Sequence, residues 1–134
     1  MTIVIHHNPD CGTSRNVLAF VRQFVGEPVV VEYLKSGWTR GYLQSLFAVA
    51  DLTPKLALRT SKSPAEELGL LEASVSDDEI LDAMIEHPIL VNRPIVCTPK
   101  GVRLCRPFET VFDLLDVPSG TRLVKSNGDE VIVP

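Results

Sequence analysis

Apolar and polar positions follow two different rhythms along this chain, and the first change of rhythm comes early. Ile3, Val4 and Ile5 form a β-branched run bounded by polar residues and Pro9, which predicts a strand over residues 2–6. Val17, Phe20, Val21, Phe24 and Val25 then recur at the three-and-four spacing of one helix face. They predict a helix over residues 14–25 that stops around Gly26 and Pro28. Val29, Val30 and Val31 are β-branched without alternation, the pattern of a strand covered on both faces of a parallel sheet. Strand, helix and strand in that order predict a right-handed βαβ start.

The middle of the chain reads as helical. After the loop Ser36-Gly37-Trp38, Thr39 can cap a helix carrying Leu43, Leu46, Phe47 and Ala50 on one side. Thr53-Pro54 opens a short segment through Arg59. Ser63-Pro64-Ala65-Glu66 combines an N-cap, a proline in the first turn and a capping glutamate, with Gly69 as the stop. Ser76-Asp77-Asp78-Glu79 repeats the capping box and starts a helix that must end before Pro88. Beyond Arg93-Pro94, the run Ile95, Val96, Cys97 predicts a buried strand, Pro99, Lys100 and Gly101 a turn, and Val102 to Cys105 the second arm of a hairpin. A last helix from near Pro107 would align Phe108, Val111, Phe112 and Leu115. Residues 117–134 are rich in Pro, Ser, Gly and Asn, and only Val131-Ile132-Val133 has strand character, so they read as a C-terminal tail of uncertain order. The order β-α-β, then a helical insertion at about residues 39–87, then β-β-α is the arrangement of the thioredoxin fold, while periodicity alone supports α/β and not that choice of fold. The expectation is a single α/β domain over residues 1–116.

Composition narrows this picture by exclusion. With 134 residues and 45% hydrophobic composition, the chain can bury one ordinary core. No apolar run approaches the roughly 20 residues of a membrane-spanning helix, and the N-terminus lacks the pattern of a secretory signal. A cytoplasmic protein with no membrane partner is expected. A net charge of −4 argues against a surface devoted to nucleic acid. The three cysteines, Cys11, Cys97 and Cys105, are odd in number and form no C-x-x-C pair, which argues against a disulfide framework. No Cys/His spacing suits structural zinc, so no metal is expected. Cys97 and Cys105 fall on strand arms and read as packing residues.

Cys11 is different. Asp10, Gly12, Thr13 and Ser14 surround it, Pro9 precedes it, and the predicted helix begins there. Unpaired backbone N–H groups and the positive end of the helix dipole favour a thiolate at such a place, and an oxyanion beside it. The position three residues on, where a resolving cysteine usually stands, is Ser14. An internal disulfide is therefore impossible here, and any thiol that resolves a covalent intermediate must come from elsewhere. Ser14 could donate a hydrogen bond to the thiolate or the anion. His6 and His7 lie at the strand end and, if the strand alternates, point to opposite sides. Among the cations, Arg93 precedes Pro94 at the entrance to a predicted strand, and Arg106 leaves the hairpin before Pro107. Guanidinium forks in such loops suit tetrahedral oxyanions. Arg59 is a further candidate, with Arg15, Arg103 and Lys100 behind it.

These residues also carry a resemblance. His7-Asn8-Pro9, Cys11-Gly12-Thr13-Ser14-Arg15-Asn16, Leu58-Arg59, Glu66-Glu67-Leu68-Gly69-Leu70, the block His87 to Val96 and Arg103-Leu104-Cys105-Arg106-Pro107 resemble the glutaredoxin-coupled arsenate reductases, the ArsC family. The resemblance spans about residues 3–116. It implies a thioredoxin-like fold in which Cys11 attacks arsenate and Arg59, Arg93 and Arg106 hold the oxyanion. His7 then tunes the thiolate, with Ser14 and Arg15 in the same role, and the Arg93-Pro94 peptide is cis. It further implies that glutathione, as a co-substrate rather than a bound cofactor, attacks the enzyme-bound arsenic, and that glutaredoxin reduces the mixed species. Phosphatase-like arsenate reductases fit poorly, because their cysteine and arginine stand farther apart than Cys11 and Arg15. Two alternatives belong to the same fold. One is a regulator resembling the Spx-type proteins that bind RNA polymerase, which commonly carry C-x-x-C where this chain has Ser14. The other is a thiol transferase acting on a different small substrate.

Overall fold

Four short strands carry the part of the chain that holds Cys11. β1 (Val4–His7) pairs in parallel with β2 (Val29–Glu32) and antiparallel with β3 (Ile95–Thr98), which pairs antiparallel with β4 (Gly101–Leu104). The order is β2-β1-β3-β4, with α1 (Gly12–Phe24) connecting the parallel pair, and this is the thioredoxin-like α/β arrangement. The computed structural model describes residues 2–134. They form two units, one of the chain up to Glu32 with Arg93–Pro134, the other of Tyr33–Asn92.

In the first unit, register explains the core. Ile5 stands opposite Val30 on one side and Val96 on the other, so three β-branched side chains form a row across one face of the sheet. Val17, Phe20 and Val21 of α1 complete the cluster with that row. The ring of Phe20 lies 5.2 Å from Phe24, 5.4 Å from Phe112 and 5.9 Å from Phe108, the last two edge to face.

The second unit is built from helix caps. Thr39 accepts from the Tyr42 N–H ahead of α3 (Arg40–Val49), which follows the short α2 (Tyr33–Ser36). Thr53 does the same for the single turn α4 (Pro54–Ala57), and Ser76 and Glu79 form a reciprocal capping box on α5 (Asp77–Glu86). Arg40 of α3 pairs with Asp78 and Asp82 of α5. The unit is wider than the expected 39–87 because its ends are tied to one another: the Tyr33 hydroxyl donates to the Val91 carbonyl, and the Asn92 N–H to the Ala57 carbonyl. Among the described residues no helix is long and apolar enough to cross a membrane.

Four local expectations need correction. β2 is the edge strand of the sheet and is not covered on both faces, since Val29 is exposed and Val30, Val31 and Glu32 are only partly buried. Residues 63–69 form turns, not a helix. The cap at Ser63 is made, but Gly69, at φ +73, immediately closes the segment with its own N–H on the Glu66 carbonyl and the Leu70 N–H on that of Ala65. The segment after Pro107 is a 3₁₀ helix over Phe108–Leu114, whose three-residue period buries Phe108, Val111 and Leu114. The tail is ordered: β5 (Arg122–Val124) and β6 (Glu130–Ile132) form a hairpin that buries Leu123 and Val133 in the core. Its turn is closed by Asn127, whose Oδ1 accepts from the Asp129 N–H, and by Gly128 at φ +91.

Because Phe20 joins three other rings in one cluster, Phe20→Ala should lower unfolding stability by about 3–5 kcal/mol. Exposed Val49 on α3 is the control: Val49→Ala should change it by less than about 0.5 kcal/mol. Urea unfolding of the two variants measures both.

Candidate active site

Cys11 is the N-cap of α1, held in an extended conformation between β1 and the helix. Three bonds to Asn8 shape the approach. The Asn8 carbonyl accepts from the Cys11 N–H at 3.1 Å, its Oδ1 accepts from the Asp10 N–H at 2.9 Å, and its own N–H donates to Ser14 Oγ at 3.1 Å. Pro9 limits the remaining freedom of this turn. Ser14 Oγ also lies 2.6 Å from His7 Nδ1. Burial holds the His7 imidazole below its usual pKa, with the Glu32 carboxylate opposing and Arg22 and Arg15 assisting. The neutral ring accepts the Ser14 hydroxyl hydrogen, while Ser14 Oγ accepts from the Asn8 N–H.

Two cations face the sulfur. Arg106 Nη1 donates to Cys11 Sγ at 3.4 Å and to the Arg93 carbonyl at 3.3 Å, so one guanidinium ties the hairpin exit to the strand entrance and to the thiol. Burial is the largest single influence on Cys11 and raises its pKa. The Ser14 backbone N–H and the charges of Arg93 and Arg106, with a hydrogen bond from Arg93, together outweigh it, so the thiol is held below its ordinary value. Cys105 lacks that help: it is fully buried and pushed up to about 12. Burial also raises Cys97.

The structure thus brings Cys11, Arg93, Arg106, Ser14 and His7 into one constellation within the first unit. Ser14 contributes through its backbone N–H rather than through the expected hydroxyl bond to the thiolate, because its hydroxyl serves His7. His7 reaches the site through Ser14. Arg15 is turned to the loop behind the thiol, its Nη1 donating to the Pro9 carbonyl at 2.8 Å, and the cations that lower the thiol are Arg93 and Arg106 instead. Arg59 belongs to the second unit. It is buried, its N–H donates to the Leu90 carbonyl and its Nε to the Ser61 carbonyl. The Arg93–Pro94 and Arg106–Pro107 peptides are cis. Lys100 and Arg103 form ion pairs with Asp116 and Asp113. His6 donates from Nδ1 to the Ile95 carbonyl at 2.8 Å, inside the sheet. Asn8 was absent from the expected site. An asparagine two residues before Asp10, across a proline, is an Asx-turn signal that could have pointed to it.

Alkylation by iodoacetamide reads the thiolate fraction directly. Its pH midpoint at Cys11 should lie below that of an ordinary thiol, since a lowered pKa keeps the reactive form present to lower pH. In Arg106→Ala that midpoint should move upward while burial continues to act. Peptide mass spectrometry would assign the label; a midpoint unmoved in Arg106→Ala would remove that cation from the thiol.

Comparison with known proteins agrees with this geometry. The model of the ArsC family matches residues 6–114. An arsenate reductase of Synechocystis sp. is 65% identical over 131 residues, covering 97% of this chain and 93% of the relative. The arsenate reductase of Escherichia coli K12 is 45% identical over 130 residues, covering 97% and 92%. Among solved structures, arsenate reductase from Vibrio cholerae superposes with a TM-score of 0.80 at 35% identity, covering 86% of this chain and 98% of that one. The chain, with its cysteine at a helix start between two arginines, belongs to the ArsC family.

Proposed function

We propose that the protein is an oxidoreductase that reduces arsenate to arsenite through a covalent intermediate on Cys11. The observation that carries this reading is the pairing of the Cys11 sulfur with Arg106 at 3.4 Å, at a helix N-terminus and beside Arg93. A thiolate and a tetrahedral oxyanion need the same surroundings, namely fixed positive charge and free N–H donors. The names of the relatives, arsenate reductases at 45–65% identity, support the same substrate.

In the first step the Cys11 thiolate attacks arsenic(V), a sulfur–arsenic bond forms and hydroxide leaves. Arg93 and Arg106 hold the charged oxygens through this displacement. Ser14 stands where a resolving cysteine would be, so the two electrons must come from outside the chain. Glutathione replaces a second arsenic oxygen with its sulfur. The glutaredoxin thiolate then attacks that glutathione sulfur, the bonding pair passes to arsenic, and a mixed disulfide departs. Arsenic(III) remains on Cys11, and water releases it as arsenite while Cys11 recovers its thiolate. Arsenate and phosphate have similar charge and shape, so the arginines serve both. Discrimination rests on the soft sulfur–arsenic bond.

With arsenate, glutathione and glutaredoxin together, the wild-type protein should form arsenite, and Cys11→Ser should form none. Mass spectrometry after incubation with arsenate and glutathione should find arsenic on Cys11; an unmodified Cys11 and no turnover with all components present would sink the proposal. Arg93→Ala and Arg106→Ala should each lower kcat/KM for arsenate by about ten- to a hundredfold, the scale of one lost charge-assisted hydrogen bond. A variant with full activity would release that arginine from the role.

A further inference from the structure

The C-terminal hairpin lies beyond residues 6–114 that match the family model, and no step of the proposed reaction uses it. Burial of Leu123 and Val133 explains why it is attached to the core. It does not explain the tip. There the Ser126 N–H donates to Asn16 Oδ1 at 3.0 Å, and Asn16 is the fifth residue of the helix that Cys11 caps, about 7 Å along its axis. The neighbouring residue reaches a different element. Lys125 Nζ lies 5.7 Å from the centre of the Phe108 ring and 3.7 Å from Glu109 Oε1, and Phe108 opens the 3₁₀ helix two residues after Arg106. Two consecutive residues of one turn therefore touch the element that carries the sulfur and the element that follows the guanidinium.

Neither contact is a loose surface encounter. The Lys125 side chain is 19% exposed, low for a lysine, whose flexible stem and hydrated ammonium ordinarily stay in water. A ring face and a carboxylate replace that water here. Its backbone is held as well: the Lys125 N–H donates to the Asp129 carbonyl at 2.8 Å, and the Gly128 N–H to the Lys125 carbonyl at 2.9 Å. The tip is thus rigid enough to fix a distance. Arg106, by contrast, is exposed, and only Cys105 and Pro107 separate it from β4 and the 3₁₀ helix. The Cys105 N–H, bonded to the Pro94 carbonyl at 2.9 Å, anchors one side of it, and Phe108 anchors the other. Phe108 is where Lys125 acts.

We propose that this tip is a brace for the site: Lys125 and Ser126 tie the start of the 3₁₀ helix to α1 and thereby keep the Arg106 guanidinium beside the Cys11 sulfur. Both are positioning residues, because they act through Arg106. The proposal rests on the reading of Cys11 as a nucleophile served by Arg106, but its readout is the thiol itself and needs no arsenate. The rings of Phe20 and Phe108, 5.9 Å apart, are the competing support: if they alone hold the 3₁₀ helix to α1, the hairpin only covers the core.

The pH midpoint of Cys11 alkylation by iodoacetamide, followed by peptide mass spectrometry on the folded full-length protein, tests the brace. Lys125→Ala and Asn16→Ala should each move that midpoint upward, part of the way to its value in Arg106→Ala. Lys125→Arg, which keeps a cation over the ring, should restore the wild-type midpoint. Combined with Arg106→Ala, neither alanine variant should move it further, because the guanidinium through which they act is gone. A loss of stability alone would not give that pattern. Asn16→Ala, a change that favours the helix locally, carries the test if Lys125→Ala fails to fold. A midpoint unmoved in either folded variant, or a shift that adds in full to that of Arg106→Ala, would overturn the proposal. With arsenate as substrate, kcat/KM should fall about three- to tenfold in Lys125→Ala, less than in Arg106→Ala itself. Midpoints that move as expected, with no arsenite formed by the wild-type protein, would leave the brace standing and refute the reaction. Arsenite formed with unmoved midpoints would do the reverse.

Discussion

A thiolate held partly out of water needs charge supplied to it from more than one direction, and this structure supplies it at Cys11. Desolvation opposes the charged sulfur more strongly than any single neighbour favours it. Only the sum of a helix N–H and two guanidinium groups reverses the balance. That sum demands that α1, the entrance to β3 and the exit from β4 meet within a few ångströms, and the sheet register sets their meeting. His6 of β1 faces Ile95 of β3, and Ile95 faces Leu104 of β4, so the ends carrying His7, Arg93 and Arg106 come together at one end of these strands. Packing of the Ile5, Val30 and Val96 row against α1 then holds the helix start in place.

The three cysteines show how far environment decides chemistry. Cys105 is as well buried as Cys11 and sits one residue from Arg106, yet its sulfur lies in the apolar cluster with Phe108 and Val111. There Arg103 and Asp113 act on it in opposite senses. Proximity in sequence to a cation is thus worth little. What matters is which side of the chain the guanidinium takes, and Arg106 takes the side of Cys11.

Much of this was legible in the sequence because the strongest signals were local. The three-and-four spacing of Val17, Phe20, Val21 and Phe24 placed α1, and the polar turn before it placed Cys11 at the helix start. The Thr39 cap marked α3 and the Ser76–Glu79 capping box marked α5 for the same reason: cap chemistry is settled within four residues. What stayed hidden depended on neighbours far along the chain. Leu123 lies in a polar, glycine-containing stretch that looks like a loop until Val131, its partner across the hairpin, is paired with it. The Ser14 hydroxyl could have turned to the thiolate; a buried, neutral His7 seven residues earlier decided otherwise. The three-residue period after Pro107 was read as a longer helical face, since Phe112 and Leu115 suit either rhythm.

The first unit is discontinuous, made of the two ends of the chain with Tyr33–Asn92 between them. Its nucleophile lies among the first residues, and the cations that activate it follow some eighty residues or more later, as the spacing of Cys11, Arg93 and Arg106 requires. During synthesis the cysteine therefore leaves the ribosome as an ordinary, mostly protonated thiol. It acquires its reactivity only when the β3–β4 hairpin closes onto β1. Folding is in this sense the switch that arms the site, and a chain that fails to complete its sheet leaves Cys11 with only the small thiolate fraction of a free cysteine.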